Sequence, residues 1–477
     1  MSRVKHDPIG IEDLEVIARD PFLRSLKTAS LTRRIGFDHS RQNVDLSKSE
    51  QEWLATLERL DLDLTSHEAS RLAWIAYDAG GYGMAKRWNA RAEKKTPLGF
   101  WLEAKFAIQE GRLGRAESHL EQAEVGYPRT IGEPVPRYTP DVSNDLGTYR
   151  AHLPAQYWAD LAVVRMGRDD YLGALDAFMH SGHERDAAYL AEQLLSREEL
   201  LVYVRSHWPD PASTEDQRMP EFLRYLTARR LARDRYFKDA RPLFPPELLP
   251  VFDRYVMLYR AFRDETTEEA ERASVGWELA QIHRTLGMEL FGTSIGPDWH
   301  VFGMGTFAGY PLAPLRLEQS TGARIAKRPT EYRNPLNHDA ETAAERDSRG
   351  YWNWDDAAMA IPVTASERWR FRHYATLPNV YRFHYRHAAA DLAWEASQFM
   401  PIESPDTARV LGIAGSWIQV RAPKPADLFY KSMIRRNRST ALAREADARR
   451  WFPEIEWDYD PWSAAGVDEP DLFRKWW

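Results

Sequence analysis

PLGFWLEAKFAIQEGRLGRAESHLEQAEVGYP, residues 97–128, decides the fold of this chain. Apolar residues recur at helical spacing: Phe100, Leu102, Phe106 and Ile108, then Leu113, Ala116, Leu120 and Ala123. Gly111 interrupts the run, and Pro128 closes it. Two helices with a tight turn between them follow. Small Ala116 and Ala123 let the helices approach closely, while Leu113 and Leu120 fill the groove between them.

Working outward, the same unit recurs. Trp53, Leu54, Leu57 and Leu60 form one amphipathic face. Ser66, Glu68 and Ala69 open a helix whose buried side is Leu72, Ala73, Ile75 and Ala76. Gly80-Gly81 breaks it, and Tyr82, Ala85 and Trp88 start the return. Later hairpins are predicted over Ala155–Gly182, over Phe222–Leu231 with Phe237, Ala240 and Phe244, and from Tyr385 to Trp451. Leu248–Phe262 and Val275–Phe291 read as two longer helices.

This helix–turn–helix pattern resembles the tetratricopeptide (TPR) repeat. Ala85 and Ala116 stand 31 positions apart, near the ~34 of that repeat. The matching alanines at 174 and 240 are irregularly spaced, so the expectation is an all-α, irregular TPR-like helical-hairpin solenoid with a long, largely irregular insertion. The expected organisation is an N-terminal arm or cap over 1–49 and helical repeats over 50–291. An aromatic Gly/Pro-rich insertion follows over 292–366, then C-terminal helices over 367–453 and an acidic aromatic tail over 454–477. The tail is read as a cap over the apolar end of the array, or else as a short partner-binding segment. The resemblance implies a concave surface presented to a protein or peptide partner.

Composition bounds the function. The 477 residues exceed the ~250–300 of a single core, so several domains or a repeat array are required. There is no cysteine, which excludes disulfides, thiolate metal sites and thiol catalysis. The net charge of −7 gives no general attraction to nucleic acid. The first twenty residues lack a signal-peptide core, and no run of about 18 apolar residues occurs. The expected location is cytoplasmic, or periplasmic or extracellular if a leader was trimmed, with no membrane insertion.

No phosphate loop, H-E-x-x-H pair or G-x-S-x-G elbow is present, and no cofactor is expected. Gly303 and Gly305 begin a G-x-G pattern, but Gly309 falls one position late and Pro311 follows. Three constellations could carry chemistry. The insertion holds Trp299 and His300, then Asn337, His338 and Asp339, then Trp352, Trp354 and Asp355. Aromatic faces with neighbouring amides and carboxylates suit a glycan or small ligand. A carboxylate pair from Asp355 or Asp356 with Glu341 or Glu345 would suit glycoside hydrolysis. The structural alternative is that the tryptophans anchor the insertion. The second set, His384, His387 and Asp391, shares a helix face at i, i+3 and i+7 and could coordinate a divalent cation, although Arg382 and Arg386 oppose one. The third is basic and aromatic: Arg368, Arg370, Arg372, His373, Arg382 and Arg386 among Trp369, Phe371, Tyr374 and Tyr381. Overall acidity argues against nucleic acid there. The function expected is a non-enzymatic scaffold for a protein or peptide partner, with glycan or small-ligand binding, or hydrolysis, by the insertion as the alternative.

Overall fold

The structure is a computed structural model. It describes residues 11–35, 48–78, 81–127, 129, 152–209, 217–293, 361–374 and 384–470. All the regular structure among these residues is helical, so the all-α expectation holds. The helices fall into two compact units, Met1–Asp186 with Pro311–Arg368, and Ala187–Tyr310 with Trp369–Trp477. The division falls inside helix Glu184–Tyr189 rather than at 291/292, where composition changes.

The first unit contains α1 (Ile11–Arg19), α2 (Pro21–Ile35), α3 (Lys48–Leu60), α4 (Ser66–Asp78), α5 (Tyr82–Ala90), α6 (Pro97–Gln109), α7 (Leu113–Ala123), α8 (His152–Gly167) and α9 (Tyr171–Ser181). α4 packs on α5, α6 on α7 and α8 on α9, each pair separated by only three residues in sequence, as antiparallel neighbours require. The deciding stretch folds as its periodicity dictates. Thr96 caps α6, its hydroxyl accepting from the Gly99 amide at 3.0 Å, and Gly111 takes φ +71° at the turn. Leu102, Phe106, Ile108, Ala116, Leu120 and Ala123 are buried. So is Trp101, which the period alone did not place in the core. α4 begins with a reciprocal box: the Glu68 amide donates to the Thr65 hydroxyl, and the Thr65 amide donates to the Glu68 carboxylate at 2.9 Å.

α2 was not legible from its periodicity. Its buried side carries Arg24 and Thr28 beside Leu31. Arg24 donates to Glu68 at 2.8 Å and to the Ala18 carbonyl at 2.9 Å, and Thr28 accepts from the Trp53 indole at 3.2 Å. These partners come from elsewhere in the fold, so the helix faces inward through polar groups.

α10 (Glu184–Tyr189) crosses the division and runs into a π-helical segment, Leu190–Leu194. The second unit then contains α11 (Arg197–His207), α12 (Arg218–Arg233), the single turn α13 (Phe237–Ala240), α14 (Leu249–Arg263) and α15 (Glu269–Phe291). α16 (Ala365–Tyr374) also crosses the division, and α17 (His384–Ser397), α18 (Pro405–Ile418), α19 (Pro423–Arg436), α20 (Ala441–Arg449) and α21 (Pro461–Ala464) complete the unit. The predicted return helix through Phe237, Ala240 and Phe244 is cut to one α-turn, because Pro242, Pro245 and Pro246 follow it.

α12 is the polar strut of this unit. Arg224 donates to the carbonyls of Trp208 and Pro242, and Arg230 to those of Ala191 and Leu195. Arg233 donates to the Phe291 carbonyl at 2.6 Å and to Glu192 at 2.5 Å. Most of these carbonyls lie at or near the ends of neighbouring helical segments, where no intrahelical donor exists. Three guanidiniums on one helix, those of Arg224 and Arg230 buried and that of Arg233 partly so, therefore satisfy the orphan acceptors of its neighbours. Arg436 does the same for α17, donating to the Ser397 carbonyl at 2.7 Å.

The tail folds back within this unit. The Trp457 indole donates to Gln281 at 3.0 Å, the Tyr459 hydroxyl to Glu278 at 3.2 Å, and Trp462 is buried. α15 packs closely on α17 because Gly276 has no side chain. A Cβ there would sit 2.5 Å from the Phe262 ring and 2.9 Å from the Ala396 Cβ. Gly276→Val is expected to cost about 2–3 kcal/mol through overpacking. A urea midpoint equal to wild type would show that this contact yields freely.

Candidate functional site

The insertion residues Trp299, His300, Asn337, His338, Asp339, Trp352, Trp354 and Asp355 lie outside the described residues. Of the tryptophans described, Trp53, Trp88, Trp101 and Trp158 are fully buried core residues, while Trp369 is half exposed.

His384, His387 and Asp391 are on α17, but they do not make a metal centre. Among the described residues no group of three His, Cys, Asp or Glu side chains is placed to hold an ion. Residues i and i+7 share a stripe yet stand two turns, about 10 Å, apart along the axis. His384 is largely buried, with the charge of Arg233 and the Gly292 backbone nearby. Burial first, then Arg233, pushes its imidazole down to about 4. Asp391 is on the solvent side, where desolvation raises its carboxyl and His387 partly offsets that. Of the third set, Arg370 is engaged within its own unit, donating to both Glu199 carboxylate oxygens at 2.7 and 3.0 Å.

A groove in the first unit was not visible in the sequence. It is built from α5, α6, the Gly111 turn and α7. Lys86 comes from α5, Glu103, Phe106, Ala107 and Glu110 from α6, and Arg112 and Arg115 from the turn and α7. Its volume is about 230 Å³. Phe106 supplies an apolar floor, with the Lys86 ammonium 5.2 Å from its ring centre. Lys86 pairs with Glu110 at 2.9 Å, and Arg112 pairs with the same carboxylate. Glu103 accepts from Lys95 and from the Asn89 amide, each at 2.9 Å. Burial works against the Glu103 charge, but Lys95, His119 and Asn89 outweigh it and hold the carboxyl below its ordinary range. The Arg115 Nε donates to His119 Nε2 at 3.3 Å, and His119 stacks on Phe100. Burial, the largest cause, keeps that imidazole below its ordinary value.

Three cations and two carboxylates thus line the groove. The groove sets charged groups around one aromatic ring, which suits it to recognising a charged or polar group. Its volume lies below the about 300–1,000 Å³ of small-ligand pockets, and it fits a side chain or a chain end. The signal that could have found it is the charge set that straddles the Gly111 turn, Glu110 and Arg112, with Arg115 following. Their convergence with Lys86 needs the α5–α6 packing.

No family model matches the chain, and no characterised protein sequence matches it. Among the described residues no helix is long and apolar enough to cross a membrane.

Proposed function

We propose that the chain is a TPR-like helical scaffold, without enzymatic activity, that docks a segment of a protein or peptide partner in the α5–α6–α7 groove. The observation that carries this reading is the groove itself. Helical hairpins present fixed cations and carboxylates around one apolar ring, in a volume suited to one or two side chains. The repeat likeness supports it: Ala85 and Ala116, at matching positions 31 residues apart, are both fully buried where second helices meet their first.

Peptide selection from a random library on the purified protein tests the reading. Selected peptides are expected to bind with dissociation constants of about 10–100 µM. Arg115→Glu should weaken them at least about tenfold, or 1.4 kcal/mol. Arg115 is exposed, so the variant is expected to keep the wild-type melting temperature. Peptides that bind the variant equally well, or a selection that enriches nothing while an oligosaccharide panel binds, would overturn the assignment.

A further inference from the structure

Arg284 is a half-buried guanidinium of the second unit set among aromatic rings. It lies on the same stripe of α15 as Trp277 and Gln281, at i, i+4 and i+7. Trp277 stacks on Trp417 of α18, with ring centres 5.6 Å and planes 6° apart, and Trp417 meets the tail residue Trp457 edge to face at 5.3 Å. The indole bond from Trp457 to Gln281 then holds that ring one turn before Arg284. The Arg284 guanidinium sits 5.7 Å from the Trp457 ring centre and 5.9 Å from that of Tyr385 on α17. Tyr385 is fixed in turn against Gly287, where a Cβ would come 2.8 Å from its own.

The acids of the same helices are engaged elsewhere. On α15 Glu278 pairs with Arg254 and accepts from Tyr459, and on α17 Glu395 pairs with Arg263 at 2.6 Å. Glu456 and Asp458 flank Trp457 in the sequence, yet among the described residues no carboxylate pairs with Arg284. Its Nε is out of contact with water and finds no acceptor among them. The charge that acts on it is a second guanidinium. Arg386 lies 5.7 Å from the same Tyr385 ring centre, its Nε donating to the Tyr385 hydroxyl at 3.2 Å. Burial first, then the Arg386 charge, holds the Arg284 guanidinium below its ordinary range. Ring faces attract a cation, but they do not cancel a second one beside it.

We propose that Arg284, with Arg386 beside the same tyrosine ring, binds a phosphate group, carried by a small phosphate ester or present as inorganic phosphate. A guanidinium fork matches two phosphate oxygens. A carboxylate is saturated by one fork and carries a single charge. A phosphate monoester carries about −1.5 to −2 near pH 7 and keeps a third oxygen, so the second guanidinium adds to its binding. The ligand brings Arg284 the counter-charge that the neighbouring helices withhold. The site uses residues of the second unit and none of the α5–α6–α7 groove, so it stands or falls separately from partner docking.

Isothermal titration calorimetry of the full chain in a chloride buffer, with phenyl phosphate, inorganic phosphate and acetate as probes, tests it. The phosphates are expected to bind with dissociation constants of about 0.1–1 mM, and acetate at least about tenfold more weakly. Arg284→Gln should weaken phosphate at least about tenfold. Arg284→Lys, which keeps the charge but loses the fork, should lie between that variant and wild type. Because Arg284→Gln removes a charge that has no counter-charge, its melting temperature without ligand should equal or exceed wild type, which separates lost binding from lost folding. Phenyl phosphate binding more tightly than inorganic phosphate supports the site as one for an ester, and equal binding supports it as one for the free ion. A chain that takes up neither phosphate at about 10 mM would overturn the proposal. So would acetate binding as tightly as phosphate, or phosphate binding that Arg284→Gln leaves unchanged.

Discussion

Asp160→Ala is expected to destabilise the first unit by about 3–5 kcal/mol. Asp160 on α8 and Lys105 on α6 are both buried, their side chains 3% and 7% exposed, and they pair at 2.7 Å. The Trp101 indole donates to the same carboxylate at 2.7 Å. Removing the carboxylate deprives the buried ammonium, which lies among the rings of Trp101 and Tyr77, of its ion pair and leaves the indole N–H without that acceptor. The favourable part of the pair's energy is then lost while the desolvation of lysine remains. In an assembly of this size the melting temperature should fall by about 8–15 °C. Asp160→Asn, which keeps an acceptor for Trp101, should lose less. The double variant Lys105→Met with Asp160→Leu should regain most of the loss, because both charges leave together. Denaturant unfolding of the three variants measures this. A single Asp160→Ala loss under about 1 kcal/mol would show that water reaches Lys105.

Acid is expected to destabilise the second unit, with the loss steepening below about pH 4.5. His283 on α15 is buried against Phe291, with ring centres 4.6 Å apart, and its Nδ1 lies 3.2 Å from the Tyr255 hydroxyl. Burial, then His384, pushes His283 down to about 3, and His384 stands at about 4. Both rings are neutral in the fold and protonate in the unfolded chain near pH 6.5. The unfolded state therefore binds more protons as pH falls, and stability is lost from pH 6.5 down to the folded values. Over the first two pH units each ring costs about 2.7 kcal/mol.

Glu289 acts in the opposite direction. Burial raises its carboxyl to about 7, against the opposing pull of its own backbone amide and the Arg229 charge. It is neutral in the fold while the unfolded chain ionises near pH 4.5, so its penalty shrinks as pH falls from 7 to 4.5, returning about 3 kcal/mol. The histidines win by about 2 kcal/mol over that window. Below it Glu289 has nothing further to return, and the two rings act alone. His384→Leu removes one of them, leaving His283 nearly balanced by Glu289, and should abolish most of the pH dependence of the urea midpoint between about pH 6.5 and 4. A variant curve parallel to wild type would show that His384 is hydrated in the fold.

The hairpins were legible because their information is local. Residues 97–128 state a period, a glycine at φ +71° and small residues at close approach, and the same devices place α3 to α9 within a few residues. α14 follows the expected Leu248–Phe262 to within a residue, and Gly292 ends α15 as expected, but α15 begins at Glu269 rather than Val275 because its first turn is charged and carries no apolar period. The capping boxes at Thr65 and Ser196 are likewise local, since three residues separate donor from acceptor.

What only the tertiary structure decided concerns groups whose partners are distant in sequence. α2 lies in the expected N-terminal arm or cap, but its helical face was not readable because its inward side is Arg24 and Thr28. Nothing within the helix shows that Glu68 lies 44 positions away to receive the one, or Trp53 to meet the other. Nothing local in α12 announces its arginines as inward-facing; the carbonyls at 191, 195, 208 and 291 that receive them come from other segments. The same holds for Asp160 with Lys105, and for the charges gathered around Phe106. A period of 3.6 reports which side chains avoid water. It does not report which polar groups have found one another, and in this chain those pairings set the buried ion pair, the acid-sensitive histidines and the groove.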